Sequence, residues 1–190
     1  PDLPGITMNQ KDRQVVLITG AARRIGAVTA QLFHEAGYTV VIHYNNSAAA
    51  ADRLCEQLNA QRPDSCLLVQ TDLNDMSALD KIVDLINSLG RLDVLINNAG
   101  IMACPLARVG PGWESQYGVN HMGHFALTQG LLPLLRRADR PRVVALSSTA
   151  HKQSDIRWDD IGYDHTPYNK WQAYGQAKTA NALFANALSR

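Results

Sequence analysis

One stretch decides how this chain is interpreted: Gln14-Val15-Val16-Leu17-Ile18-Thr19-Gly20-Ala21-Ala22-Arg23-Arg24-Ile25-Gly26. It begins with a continuous apolar run rich in β-branched residues, which is typical of a strand buried on both faces. From Ile25 onward the apolar residues recur at helical spacing. The stretch therefore predicts a buried strand, a tight turn that contains glycine, and a helix, in that order.

The glycines of this turn point to a ligand. A helix N-terminus carries free backbone N–H groups and a partial positive charge, so an anion binds there when no side chain covers the backbone. Gly20 permits the turn, and Gly26 lets the helix pack close to the strand. These features favour the pyrophosphate of a dinucleotide. Because the usual glycine fingerprint is not matched letter for letter, an ordinary strand–helix turn remains the alternative.

Composition limits the classes of protein that fit. The chain has 190 residues, a net charge of +1 and scattered basic residues, which predicts one domain over residues 14–190 and no nucleic-acid partner. Residues 1–13 are polar, and we expect a flexible tail there. Neither a bilayer-spanning apolar run nor a signal-peptide pattern is found, which favours the cytoplasm. Cys55, Cys66 and Cys104 lack metal-ligand spacing, so we expect free thiols and no metal site.

Strand and helix patterns alternate along the chain. Strands are predicted at 15–19, 39–43, 65–70, 92–96 and 142–146, and helices at 24–36, 47–60, 76–89, 113–137 and 171–189, with Pro133 bending or interrupting the fourth helix. This alternation predicts an α/β fold: a doubly wound parallel sheet with helices on both faces, which is the three-layer α/β/α, Rossmann-like architecture. Ligands of such sheets bind at the carboxyl ends of the strands. Polar residues follow the predicted strands at those ends, among them Asn97-Asn98-Ala99-Gly100 and Ser147-Ser148.

Tyr174 and Lys178 lie four residues apart in the last predicted helix and therefore share one of its faces. A free tyrosine has a pKa of about 10, and a neighbouring lysine cation lowers that pKa toward the range that acid/base chemistry at neutral pH needs. Ser148, after the fifth strand, can donate a hydrogen bond to a substrate carbonyl. A Tyr/Lys pair on a helix is more often a surface feature, but its combination with a nucleotide-type turn favours a catalytic role.

A set of motifs resembles the classical short-chain dehydrogenase/reductases: Thr19-Gly20-x-x-x-Arg24-x-Gly26, Asp72, Asn97-Asn98-Ala99-Gly100, Asn120, Ser148 and Tyr174-x-x-x-Lys178. The motifs follow the family's order and cover nearly the whole chain from residue 14 to residue 190. The resemblance implies an NAD(P)(H)-dependent oxidoreductase that acts on a small-molecule carbonyl or alcohol. It also implies a homo-oligomer, a dimer or tetramer, that forms through the helices at 113–137 and 171–189.

The resemblance further implies roles for single catalytic residues. Tyr174 would be the general acid/base, and Lys178 would lower its pKa and hold the nicotinamide ribose. Ser148 would orient the carbonyl, and Asn120 would position a proton-relay water. Ser147 is the weaker candidate for the catalytic serine, because the family's serine usually matches the second residue of such a pair.

The type of dinucleotide can be predicted from charge. NAD-preferring sites place an acidic residue after the second strand, but here that place holds His43-Tyr44-Asn45-Asn46-Ser47, without a carboxylate. Arg23 and Arg24 suit a 2′-phosphate, with Asn46 and Ser47 as neutral donors. We therefore prefer NADP(H), with NAD as the alternative and solvent-exposed arginines as the simpler explanation. From the turn, the charges and the resemblance together, the predicted cofactor-binding residues are Gly20, Arg23, Arg24, Ile25, Gly26, Asn46, Ser47, Asp72, Leu73, Asn98, Ala99, Gly100, Tyr174 and Lys178.

Two subgroups of the family are resembled in different halves of the chain. Arg24, in place of the family's middle glycine, and the segments 43–49 and 58–65 are similar to pteridine reductases. The segments 120–125, 156–160 and 174–181 are similar to retinol dehydrogenase-like enzymes. A natural mosaic, a chimera and one divergent lineage all fit this pattern. The family normally continues beyond the catalytic helix, so we expect its C-terminal strands to be missing from the sheet of this chain.

Three functions follow as hypotheses. The first is reversible hydride transfer between NADP(H) and a lipophilic carbonyl or alcohol, and the second is a pteridine reductase-like activity. The third is a truncated or chimeric nucleotide-binding module without turnover. In the segment 149–170 the aromatic residues would either line a substrate pocket or, more simply, anchor a long loop by packing; they and the neighbouring aromatic of the last helix are Trp158, Tyr163, Tyr168 and Trp171.

Overall fold

The computed structural model describes residues 13–190, so the expected tail at 1–13 lies outside the described residues except for Arg13. The strands are β1 Val15–Ile18, β2 Thr39–Tyr44, β3 Cys66–Gln70, β4 Val94–Asn97, β5 Arg108–Val109, β6 Trp113–Glu114 and β7 Arg142–Ala145. The α-helices are α1 Arg24–Glu35, α2 Ala48–Gln61, α3 Leu79–Leu89, α4 Ser115–Tyr117, α5 Gly123–Leu135 and α6 Lys170–Leu188. A π-helical turn, Gly118–Met122, joins α4 to α5, and short 3₁₀ helices occupy Met76–Ala78 and Thr149–Gln153.

The main sheet has five parallel strands in the order β3-β2-β1-β4-β7. Leu17 at the centre of the sheet lies opposite Val41 of β2 and Leu95 of β4. The order runs outward from β1 in both directions, which is the arrangement of a doubly wound sheet. The predicted α/β fold class is thereby confirmed.

Each face of the sheet builds its own core, because successive strand residues point to opposite faces. Leu17 and Val41 pack with the apolar residues of α3 and α5. Ile18 and Ile42 pack with the apolar residues of α1 and α2 on the other face. Helix α6 contacts β7 and the π-helical turn. These contacts give the predicted three layers.

The single helix predicted over 113–137 is wrong in its first part. Trp113 pairs with Val109 in a small antiparallel sheet, which the sequence pattern did not indicate. Glu114 then caps the helical region, since its carboxylate accepts from the backbone N–H of Gln116 at 3.0 Å and of Tyr117 at 2.8 Å. Pro133 lies inside α5 and does not end it, since the helix continues to Leu135.

The other predicted elements are present with ends that differ by at most two residues, apart from the helix start near residue 76. There Asp75 caps a 3₁₀ turn, accepting from the N–H groups of Ser77 and Ala78, before α3 begins. Helix α3 ends at Gly90, whose φ of +72° is the left-handed conformation that glycine adopts without strain. Among residues 13–190, none of the helices is both long and apolar enough to cross a bilayer.

Candidate active site

The turn between β1 and α1 is packed so closely that two of its positions have no space for a side chain. Gly20 has a φ of +64°, and a Cβ there would lie 2.9 Å from the Cα of Ala99. A Cβ on Gly26 would lie 2.6 Å from the carbonyl oxygen of Gly20 and 2.7 Å from Nδ2 of Asn98. The first turn of α1 therefore rests directly on the backbone after β1, as a phosphate-binding turn requires.

Hydrogen bonds join this turn to the end of β4. The hydroxyl oxygen of Thr19 accepts from the backbone N–H of Asn98 at 2.9 Å and of Ala99 at 3.0 Å. The Asn98 side chain donates to the carbonyls of Thr19 at 2.7 Å and Gly20 at 3.2 Å. Asn98 was predicted to line the cofactor, and in the structure its amide holds the shape of the turn.

The N-terminus of α1 has the properties of an anion site. Arg23 is its N-cap and makes no side-chain capping bond, and the first turn contains no acidic residue. The free N–H groups and the helix dipole are therefore available to a negative charge. Arg23, Arg24 and Ile25 are exposed beside them. Arg24 has a φ of +52°, a strained left-handed conformation for a residue other than glycine.

The residues after β2 contain no carboxylate near this helix end. Asn46 is exposed, and Ser47 is the N-cap of α2 but makes no side-chain capping bond. His43 is buried, and its Nδ1 accepts from the N–H of Gly20 at 3.2 Å while Nε2 lies 2.9 Å from the carbonyl of Thr71. Burial lowers the pKa of His43, which keeps this ring neutral. The uncapped donors and the two arginines fit a negatively charged group such as a phosphate.

The remaining predicted nucleotide residues lie at the same edge of the sheet. Asp72 is exposed and its Oδ1 accepts from the backbone N–H of Asn74 at 3.0 Å. Leu73 is buried with its side chain in the core. A Cβ on Gly100 would lie 2.9 Å from Oδ1 of Asn120 and 3.9 Å from Nζ of Lys178. Gly100 thus connects the nucleotide edge to the predicted catalytic residues.

Lys178 is buried beside the ring of Tyr174. Its Nζ lies 5.6 Å from the ring centroid and donates to the carbonyl of Leu146 at 2.9 Å. Only 6% of Lys178 is exposed, and burial lowers its pKa. Within residues 13–190, the carboxylates that form ion pairs do so with arginines, not with Lys178. A buried ammonium without a carboxylate partner is more typical of a functional site than of a structural ion pair.

The two serines after β7 have different partners. Ser147 donates its hydroxyl to the carbonyl of Lys178 at 2.8 Å, so it holds α6 against the strand end. Ser148 accepts from the N–H of Ala150 at 3.2 Å, which leaves its own proton free for another acceptor. This arrangement favours Ser148 over Ser147 as the group that orients a substrate oxygen, and the catalytic role of Ser148 stays a prediction.

Asn120 lies in the π-helical turn and is fully buried. Its side chain forms two bonds with the backbone of Ile101, donating to the carbonyl at 2.9 Å and accepting from the N–H at 2.8 Å. Its own carbonyl accepts from Nδ2 of Asn181 at 3.0 Å. Asn120 therefore holds the loop after β4 against the helices. Its predicted part in a proton relay stays a prediction.

Sequence reasoning missed the buried polar residues that hold the walls of the site. Gln116 accepts from the N–H of Ala103 at 2.7 Å and donates to the carbonyl of Lys170 at 2.8 Å, so it bridges the loop after β4 and the start of α6. Tyr168 donates to the buried Glu114 at 2.9 Å, and this contact together with burial raises the pKa of the phenol to about 12. No spacing in the sequence marks these residues, because their partners are 13 to 54 positions away.

The aromatic residues of the segment after β7 divide into two groups. Tyr163 is buried and forms an edge-to-face contact with Tyr168, with ring centroids 5.2 Å apart. Trp158 is 71% exposed and Trp171 is 52% exposed. Packing explains the tyrosines, as expected from the simpler interpretation, but it does not explain the tryptophans.

No cluster of three or more metal-ligating side chains occurs among residues 13–190. Cys55, Cys66 and Cys104 are free thiols, as predicted.

The chain was compared with known proteins. Residues 14–190 match the short chain dehydrogenase family. Retinol dehydrogenase 14 of Mus musculus is 37% identical over 190 residues, which cover 93% of this chain and 56% of that protein. Retinol dehydrogenase 13 of Homo sapiens is 37% identical over 185 residues, which cover 93% and 54%. A crystal structure of an uncharacterized protein from Mycobacterium paratuberculosis superposes with a TM-score of 0.78 at 40% identity and covers 92% of this chain and 61% of its own.

The fold and the site define a dinucleotide-binding α/β protein with a Tyr/Lys pair at the carboxyl edge of its sheet. The matches add that the chain belongs to the short-chain dehydrogenase family. The alignment with the mouse protein runs through both halves of the chain, the one that resembles pteridine reductases and the one that resembles retinol dehydrogenase-like enzymes. The chain spans little more than half the length of the curated relatives it matches.

Proposed function

We propose that this chain is the nucleotide-binding and catalytic part of an NADP(H)-dependent oxidoreductase that interconverts a carbonyl and an alcohol. The observation that carries the proposal is the buried Lys178 ammonium beside the Tyr174 ring, with Gly100 of the nucleotide edge close to its Nζ. Membership of the short-chain dehydrogenase family supports the same reaction class. A buried charge without an oppositely charged partner marks a candidate functional site.

Each residue of the site has a task in this reaction. Tyr174 gives its phenolic proton to the alkoxide that forms on the substrate, and the Lys178 cation lies beside its ring. The free hydroxyl proton of Ser148 binds the same oxygen and stabilises its developing charge. A bound nicotinamide supplies or accepts the hydride. The Ser147 hydroxyl donates to the carbonyl of Lys178, and Nζ of Lys178 donates to the carbonyl of Leu146. These two bonds hold α6, which carries Tyr174 and Lys178, against the segment that carries Ser148.

The preference for NADP(H) rests on charge. Arg23 and Arg24 are exposed at the uncapped end of α1, and neither Asn46 nor Ser47 repels a phosphate. A 2′-phosphate would gain charge-assisted hydrogen bonds from the guanidinium groups. NADH lacks that phosphate, so we expect it to bind more weakly.

The substrate that we propose is a lipophilic carbonyl. A cavity of about 370 Å³ lies at the start of α6, and its walls include Ala103, Pro105 and Trp171. Trp171 lies one helical turn before Tyr174. Met102 and Leu106 are exposed and lie in the same loop as Ala103 and Pro105. Apolar side chains on this side of the tyrosine favour a substrate with an apolar body. The retinol dehydrogenases among the relatives agree with this substrate class by name.

We further propose self-association through α5 and α6. Phe125 and Leu183 are 40% and 49% exposed on these helices, and Phe125 contacts Phe184 with ring centroids 5.5 Å apart. Ala177 and Ala180 of α6 are buried within the chain and belong to its core. The expected stoichiometry is a dimer or tetramer, which light scattering at several concentrations would measure.

The test is a fluorescence titration with NADPH and with NADH, followed by oxidation of NADPH with aldehydes, ketones and dihydropterins. We expect tighter binding of NADPH and aldehyde reduction that falls at least a hundredfold in Tyr174→Phe, because the proton donor is lost. Tyr38→Phe is the matched control, since Tyr38 packs against Phe33 away from the site. Unchanged turnover in Tyr174→Phe would contradict the mechanism.

Two further outcomes identify the alternatives. Selective turnover of dihydropterins would favour the pteridine reductase-like activity. Nucleotide binding without turnover of any substrate would identify a nucleotide-binding module.

A further inference from the structure

The hydroxyl group of Thr19 determines the protonation of a buried histidine. Its oxygen accepts from the N–H groups of Asn98 and Ala99, and these two bonds use both lone pairs. The single hydroxyl proton must therefore go to another acceptor. The nearest is Nε2 of His124 at 2.8 Å, while the carbonyl of Ile96 lies at 3.4 Å. His124 thus accepts through Nε2.

A neutral imidazole that accepts at Nε2 carries its proton at Nδ1. In His124 this nitrogen lies 3.1 Å from the carbonyl oxygen of Asn120, and it therefore donates there. The residue is 2% exposed, and burial lowers its pKa to about 3, so the ring stays neutral. The titratable groups that face it are His43, His121 and Lys178, and none of them is an acid that would favour the cation.

The two bonds place His124 between the two parts of the site. On one side, Thr19 holds the glycine turn and the end of β4. On the other side, Asn120 holds the loop that follows Gly100 through both of its bonds to Ile101. The carbonyl of Asn120 lies in the π-helical turn and accepts hydrogen bonds from both Asn181 and His124.

We propose that His124 is a positioning residue that sets the distance between the nucleotide turn and the Asn120 turn. This inference rests on the proposed function, because it assigns the two turns to cofactor binding and to turnover. Because His124 is buried, we assign it no direct contact with the substrate or the cofactor. It acts through Thr19 toward the nucleotide and through Asn120 toward the catalytic residues.

The first experiment reads the ring directly. In the full chain labelled with ¹⁵N-histidine, we expect Nδ1 of His124 to be protonated and Nε2 to be unprotonated, without a change between pH 5 and pH 8. The assignment comes from the spectrum of His124→Gln. A ring that is protonated at Nε2, or that titrates in this range, would overturn the proposal.

The second experiment separates the two bonds. Asparagine places an amide nitrogen near the position of Nδ1, so His124→Asn keeps the bond to Asn120 and loses the one to Thr19. Glutamine reaches the position of Nε2, so His124→Gln keeps the bond to Thr19 and loses the one to Asn120. We expect His124→Asn to raise the Kd for NADPH about tenfold with kcat within about twofold, and His124→Gln to show the reverse.

The matched control is His34, which is also buried and binds a hydroxyl, with Nε2 2.7 Å from Oγ of Ser65. His34→Asn and His34→Gln should lower the thermal midpoint without changing Kd or kcat. Equal effects of both His124 variants on Kd and on kcat, in proportion to their thermal midpoints, would show a merely structural role and overturn the proposal. If the unmodified chain binds NADPH but reduces no carbonyl, the proposed function fails, while the ¹⁵N spectrum still tests His124.

Discussion

Strands β1 and β7 belong to one sheet but differ completely in their surroundings. All four side chains of β1 are buried, because β2 and β4 flank it and helices cover both of its faces. Strand β7 is at the edge, and none of its four residues is buried. Val144 of β7 lies opposite Ile96 on the face that carries α1 and α2, yet it is 44% exposed.

The difference teaches how the two parts of the site are maintained. The turn after β1 has no room for a Cβ at Gly20 or Gly26, and the side chains of Thr19 and Asn98 join it to the end of β4. The residues after β7 depend on side-chain bonds, mainly from Ser147 and Lys178 to the neighbouring segment. We therefore expect the nucleotide turn to respond to changes in volume and the catalytic end to respond to changes in hydrogen bonding.

The largest expected effect is on catalysis after β7. Ser148→Ala should lower kcat about a hundredfold, because it removes a donor to the developing alkoxide. Ser147→Ala loses only the bond to the carbonyl of Lys178, so it should cost about 1 kcal/mol of stability and leave kcat within about threefold. Steady-state aldehyde reduction and urea unfolding measure both. An equal loss of turnover in the two variants would remove the distinction between the serines.

His124 links the two regions, and we expect its burial to make the stability of the chain depend on pH. The pKa of His124 is about 3 in the folded chain and 6.5 ordinarily, so the unfolded state binds more protons between these values. Its contribution is complete above about pH 6.5 and is lost as the pH falls toward 3, amounting to about 3 kcal/mol between pH 7 and pH 4.5. Urea unfolding of the chain and of His124→Gln measures it.

In that comparison His124→Gln should show a smaller decrease in stability on acidification. The burial that lowers the pKa of His34, His43 and His121 contributes equally to both chains. Parallel curves for the two chains would contradict the buried, neutral state of His124.

A change in volume should damage the nucleotide turn. Gly26→Ala places a Cβ 2.6 Å from the Gly20 carbonyl, and backbone atoms cannot move aside as a flexible side chain would. We expect a loss of about 2 kcal/mol in the free energy of unfolding together with weaker NADPH binding. Gly37→Ala is the control, because its Cβ would meet nothing within 4 Å although its φ is +95°. It should lower stability through backbone strain and leave NADPH affinity unchanged.

The smallest effect is expected at Arg24. Its φ of +52° is unfavourable for a side chain with a Cβ, so Arg24→Gly should stabilise the fold by about 1 kcal/mol. The same change should weaken NADPH and leave NADH unaffected, because only NADPH carries the 2′-phosphate. Thermal unfolding and nucleotide titration measure the two effects. An equal loss of affinity for both nucleotides would argue against a role in phosphate recognition.

Much of the fold could be predicted because its signals are local. The apolar run at 15–18 and the glycines at 20 and 26 predict the buried strand and the close turn, and both are present. The helix predicted from Trp113 was wrong, because Trp113 pairs with a strand in the preceding loop. That pairing involves a hairpin whose residues have no regular pattern of their own.

The candidate site was predictable in its outline. The spacing of Tyr174 and Lys178 indicates a shared helix face, and the structure places the ammonium beside the ring. The partners of Asn98 and Ser147 were not predictable, since they depend on which carbonyl of another segment comes within 3 Å. Such distances follow from the packing of the whole sheet.

The sequence by itself determined the order of strands and helices, the positions where a side chain cannot be accommodated, and the chemical groups at the strand ends. Periodicity and residue type carry that information, since they act over a few neighbouring residues. Only the tertiary structure decided that Thr19 fixes the proton of His124 and that Ser148 rather than Ser147 keeps a free hydroxyl. A hydrogen bond has one donor and one acceptor at a definite distance, and residues more than 30 positions apart acquire that distance only when the chain is folded.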